Sequence, residues 1–168
     1  RRCPHGAPAV LLTLPFAGSG GAVPPLLWLT CPNASTGVGR LESRGEIARV
    51  GMRLHADEAL REEFIRQERA LASMQRRIAE ASGGEELANR VASRGAAYGR
   101  IGSMKCLHAH LACHLALQGD RRSGDVEAGG ATESRRRGIR SVPGELCVEM
   151  LEEEGGVWCE RPPAPCVT

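Results

Sequence analysis

Seven cysteines (Cys3, Cys31, Cys106, Cys113, Cys147, Cys159 and Cys166) and five histidines are the residues of this chain best equipped for chemistry. Thiolate and imidazole are the ligands that zinc prefers in a tetrahedral site. The odd cysteine count does not close a fully paired disulfide framework, and cysteine and histidine together in a non-secreted chain point to metal or redox chemistry. Three histidines, His108, His110 and His114, lie in one run with Cys106 and Cys113. The pattern predicts a helix over about 104–118, stopped at Gly119. With Cys106 set at 0° and about 100° per residue, His110 falls at about 40°, Cys113 at about −20° and His114 at about 80°. Cys106, His110 and Cys113 then share a face, and His108, at about 200°, lies on the far side. A single helix face supplies only two or three ligands, so the others must come from elsewhere. Cys3 opens Cys-Pro-His-Gly before the first apolar run, and Cys31 closes the second. Antiparallel pairing of those runs sets the start of one beside the end of the other. The expected zinc ligands are therefore Cys3, Cys31, Cys106 and Cys113, with His110 or His5 as substitutes. Cys147, Cys159 and Cys166 show no zinc spacing and fall outside the set. The competing readings are small buried core cysteines and a redox-active thiol pair. Cys106, in a first helical turn beside Lys105, suits thiolate chemistry of either kind.

These residues need elements to position them. Residues 8–15 and 26–31 are short apolar runs around a Gly- and Pro-rich segment, and they read as a β-hairpin buried on both faces or partly covered. Asn33 is a plausible N-cap for a helix over about 34–44, with Gly45 as its C′ residue. Ile47, Val50 and Leu54 step by three and four and mark a second helix. Asp57 caps a third, whose apolar stripe is Leu60, Phe64, Leu71, Met74 and Ile78 and whose charged face carries Glu62, Arg66, Arg69, Arg76 and Glu80. Ser82-Gly83-Gly84 ends it, and residues 85–94 form one more short helix. Residues 121–140 are polar and Gly-rich and read as a flexible segment. Within it the basic knot Arg135, Arg136, Arg137 and Arg140 reads as solvated surface. A last short helix is expected over 145–154, followed by an irregular tail. The fold class expected is α+β: an N-terminal β-hairpin packed on a mostly helical body, as one domain over 1–120, with a low-pattern segment over 121–168.

Composition sets the wider bounds. The chain has 168 residues, enough for one domain with a real core. Lys+Arg exceeds Asp+Glu by only 22 against 20, so net charge argues for neither a nucleic-acid nor a membrane partner. Two Trp, two Phe and one Tyr are too few for a base-stacking platform. Pro4, Pro8 and Pro15 break any signal-like helix, and no apolar run approaches the ~20 residues of a membrane span, so a cytoplasmic protein is expected. There is no Gly-x-Ser-x-Gly elbow, Walker loop, His-Glu-x-x-His or dinucleotide fingerprint.

Four stretches, taken in order, resemble a known family: Arg2-Cys3-Pro4-His5-Gly6 with Pro8-Ala9-Val10, Trp28-Leu29-Thr30-Cys31-Pro32, Arg40-Leu41-Glu42-Ser43, and Lys105-Cys106-Leu107-His108-Ala109-His110. The family is the bacterial domain of unknown function numbered 501, and the resemblance covers about residues 1–120. It implies a small cytoplasmic protein and carries over no catalytic residue. In that family the position of Cys113 is commonly His, one metal-ligand type in place of another, and an Asn-Pro-rich turn stands where this chain has its Arg- and Gly-rich 121–140. The function expected is a zinc-stabilised accessory or interaction domain with a protein partner. The alternatives are a hydrolase-like metal-dependent enzyme that uses the same Cys/His cluster with an open coordination position, and a thiol redox protein.

Overall fold

The structure, a computed structural model, describes residues 1–14, 25–92, 94–95, 97, 99–117 and 141–160. The segment around 16–24, the Arg- and Gly-rich 121–140 with its basic knot, and Cys166 lie outside the described residues. Strands β1 (Val10–Leu12) and β2 (Leu27–Leu29) pair antiparallel, Val10 opposite Leu29 and Leu12 opposite Leu27. Their alternation buries one face only: Val10, Leu27 and Leu29 point into the core, while Leu11 and Trp28, a cross-strand pair, stand in solvent. The hairpin is therefore partly covered rather than sandwiched.

Helix α1 runs Pro32–Ser43, two residues earlier than the Asn33 cap implies. Pro32 at the first helical position has its φ preset and lacks only an N–H that would be orphaned there. Asn33 instead donates from Nδ2 to the Val157 carbonyl, 3.1 Å away. Gly45, with φ 83°, turns the chain between α1 and α2 (Glu46–Ala56), and its N–H closes back on the Glu42 carbonyl. Asp57 accepts the Leu60 N–H and starts α3 (Glu58–Val91). Gly84 breaks that helix at φ 76°, ψ −172°, where the glycine pair predicts a stop. Beyond the break, Leu87, Ala88 and Val91 fold back on Ala79 as a small separate cluster.

Helix α4 (Leu107–Leu117) is the centre of the molecule. It packs against α5 (Val142–Glu153), both strands and α1, and its residues 109–114 are all buried. A helix surrounded in this way is apolar all round rather than striped. It starts three residues later than its apolar pattern suggests. The reason is tertiary: the Leu107 N–H donates to a carboxylate of α1, Glu42 Oε1, at 2.7 Å. Ser141 caps α5 by accepting the Gly144 N–H. Val142, Leu146, Cys147, Leu151 and Val157 join the same core as the hairpin and α1–α4, so the core does not close at residue 120. The architecture is α+β, a two-stranded hairpin on a helical body. Among the described residues no helix is long and apolar enough to cross a membrane.

Candidate metal centre

Glu42, in the last turns of α1, is half-buried and faces the start of α4. One of its oxygens, Oε1, takes the Leu107 N–H and lies 3.2 Å from His108 Nδ1. The other nitrogen of that ring, Nε2, is 3.1 Å from the Ser35 carbonyl oxygen, one helical stretch back in α1. A carbonyl only accepts, so Nε2 carries the proton that completes this bond, and Nδ1 is the ring nitrogen left facing the carboxylate. Nδ1 and Oε1 stand 3.2 Å apart, a separation that suits either a ring N–H donated to the carboxylate or a cation held between them. Cys106 sits just before α4 and is half-buried. Burial pushes its thiol up, and the charge of Glu42 adds to the effect, while the N–H groups of Ala109 and His108 point at the sulfur and oppose it. One ligand atom from each of Glu42, Cys106 and His108 lies within 4.8 Å of the others, and among the described residues this is the group of three or more such side chains that forms. A tetrahedron with bonds of about 2.0 Å has an edge of about 3.3 Å, close to the carboxylate–imidazole separation.

Of the six expected ligands, Cys106 alone belongs to this group. Cys3 lies in a turn ahead of β1, half-buried and packed against the core. Residues 2–8 fold back on themselves, with Arg2 bridging Pro8 and the Cys3 N–H bonded to the Ala7 carbonyl. His5, at the tip of this turn, is exposed and meets the Cys159 carbonyl through Nε2 at 2.7 Å. Cys31 is buried in the core at the head of α1. His110 and Cys113 face α3, away from Glu42. The His110 ring meets Phe64 edge-on at 5.5 Å between centroids, and Cys113 is pushed up by burial and by the charge of Glu68. Because Cys106 precedes the helix, the ideal-helix angles measured from it do not apply, and His108, placed on the far side by that geometry, is its neighbour.

Two things escaped the sequence reading. Glu42 lies 65 residues from Leu107 in the chain, and its one signal was its place in the Arg40-Leu41-Glu42-Ser43 block. The other is a buried polar layer on α3: Gln67, Glu68 and Gln75 are each 1% exposed. Gln67 Nε2 donates to Ser141 Oγ at 3.1 Å, and that hydroxyl donates to the His110 carbonyl at 3.2 Å. Both ring nitrogens of His110 are without a hydrogen-bond partner among the described residues, and burial lowers its pKa to about 4. In α5, Cys147 is fully buried, and its thiol is pushed up to about 12 by burial first and then by the charges of Glu42 and Cys106.

No curated protein and no solved structure matches the chain. A family model described as "Protein of unknown function (DUF501)" matches residues 1–127, a span that holds Glu42, Cys106 and His108 and stops short of α5. The chain belongs to the DUF501 family.

Proposed function

We propose that the protein is a cytoplasmic accessory or interaction domain stabilised by a zinc-class cation, bound through Glu42 Oε1, Cys106 Sγ and His108 Nδ1 rather than through the cysteine set that the sequence suggests. One observation carries this reading. The Ser35 carbonyl holds Nε2 of His108 as the protonated nitrogen and leaves Nδ1 aimed at a carboxylate oxygen 3.2 Å away. Metal-ligating histidines are oriented by an outer partner of this kind, which fixes the tautomer. Carboxylate, imidazole and thiolate together suit zinc better than calcium or magnesium. Bound there, the cation ties α1 to the start of α4 and adds its binding energy to folding. The partner such a role implies is a protein, in keeping with the near-balanced charge.

Three protein ligands leave one tetrahedral position, which keeps a metal-dependent enzyme in second place. A cavity of about 180 Å³ beside α4 and α5 is lined by His114, Glu152 and Trp158 among others and lies apart from the three ligands. A thiol redox role is third, since burial and Glu42 both disfavour the Cys106 thiolate. The test is elemental analysis of protein purified without a metal-binding tag, with melting followed before and after a chelator. Stoichiometric zinc and a lower melting temperature after chelation support the reading. A metal-free protein that binds no added zinc and melts unchanged overturns it.

A further inference from the structure

We propose that Cys147 of α5 supplies the fourth ligand, so that the centre takes a tetrahedral cation through one carboxylate oxygen, one imidazole nitrogen and two thiolates. This rests on the metal reading above and decides what that reading leaves open, whether the fourth position belongs to the protein or to a substrate.

The register of α5 carries the argument. Gly144, Cys147 and Leu151 recur at helical spacing on one face. Gly144 lies against α4 so closely that an added Cβ would meet the His110 carbonyl at 2.5 Å and Ser141 Oγ at 2.8 Å. Leu151 lies against α1, its Cδ2 2.7 Å from where a Cβ on Gly37 would stand. Cys147, one turn after the first contact and one turn before the second, is thus directed into the angle between α4 and α1. Glu42 and Cys106 meet in that angle, Cys106 one turn ahead of His110. Cys147 is 0% exposed, so its thiol has no outlet to solvent, and both Glu42 and Cys106 act on it electrostatically. Its sulfur stands outside the group that closes within 4.8 Å, and with α5 already seated tightly on α4 and α1, ligation requires the side chains of Cys147, Glu42 and Cys106 to rotate towards one another. Each cysteine that ligates releases its proton to solvent and binds as thiolate. Two thiolates raise the preference for a soft or borderline cation. A position filled by protein makes the centre structural, and it spans the family region and the helix beyond residue 127.

The experiment uses the full chain loaded with zinc and, separately, with cobalt(II). X-ray absorption at the zinc edge of the unaltered protein counts sulfur ligands without any substitution, and two at about 2.3 Å are expected. In the cobalt form the thiolate charge-transfer band should fall by about half in Cys147→Ala and by about half in Cys106→Ala, and stay unchanged in Cys113→Ala. Metal affinity should drop in Cys147→Ala by more than the ~10-fold that losing an outer partner costs. One sulfur at zinc, or a cobalt band unmoved by Cys147→Ala, overturns the fourth ligand and leaves the three-ligand site standing. A band lost in Cys113→Ala places the second sulfur elsewhere and also overturns it. A protein that binds neither metal overturns the underlying reading, and this proposal falls with it.

Discussion

The carboxylate of Glu42 does two jobs at once: it accepts the first N–H of α4 and it confronts His108. Removing it leaves a helix terminus uncapped, which costs about 1–2 kcal/mol. Glu42→Ala should therefore lower urea-unfolding stability by about that amount even with metal removed, and Glu42→Gln, which keeps an acceptor for Leu107, should cost less. If the two variants unfold alike, the carboxylate is not serving as a cap. His110 makes a second prediction, about acid. The unfolded chain binds a proton on this histidine near pH 6.5, while burial delays uptake in the folded state to about pH 4. Between those values the unfolded state holds more protons, so stability falls as pH drops through the window and is fully present above it. The whole difference corresponds to about 3 kcal/mol. In His110→Leu the loss of stability between pH 7 and pH 4.5, read by urea unfolding, should be smaller than in the unaltered protein. Equal losses would show that other groups set the acid response.

Among the elements, the crossing of α5 over α4 depends on a missing side chain. At Gly144 an added Cβ would run into the His114 Cβ, the His110 carbonyl and Ser141 Oγ, two of them on a helix that cannot yield without disturbing the core. Gly144→Ala should destabilise by about 2 kcal/mol, within the range for overpacking. Gly39, inside α1, has nothing within 4 Å of an added Cβ. Gly39→Ala should be neutral or stabilising by up to ~1 kcal/mol, because glycine weakens a helix interior. Thermal melts of the two variants compare them directly, and equal shifts would mean that helix propensity and not the crossing dominates.

For the molecule as a whole, the telling fact is that the core runs through the helix beyond the family region. Leu107 and Leu111 of α4 are 0% exposed, and α5 contributes Leu146, Cys147 and Leu151 to the same cluster. A chain ended at residue 127 should expose that face of α4 and lose its cooperative melt, by circular dichroism, or gain it back only by self-association. A truncated protein that melts cooperatively as a monomer would show that residues 1–127 close a core of their own.

The local signals in the sequence survive because each is settled within a few residues. Asp57 caps α3, Gly45 takes the left-handed turn, and Gly84 breaks the long helix, all through bonds or dihedrals of the immediate chain. The hairpin and its pairing follow from two apolar runs, and the exposed charges of α3 follow from period. The grouping of ligand-type side chains was not legible in the same way. Cys106 stands ahead of its helix because Glu42, far away in the chain, takes the Leu107 N–H, and that shift brings Cys106 and His108 together. Likewise, residues 2–8 fold back ahead of β1, and the packing of α3 buries Gln67 and Gln75, which share the helical spacing of the apolar stripe but not its polarity. Secondary structure is dictated by neighbours in the chain. Which side chains share a space is dictated by how the helices cross, and only the tertiary structure decides that.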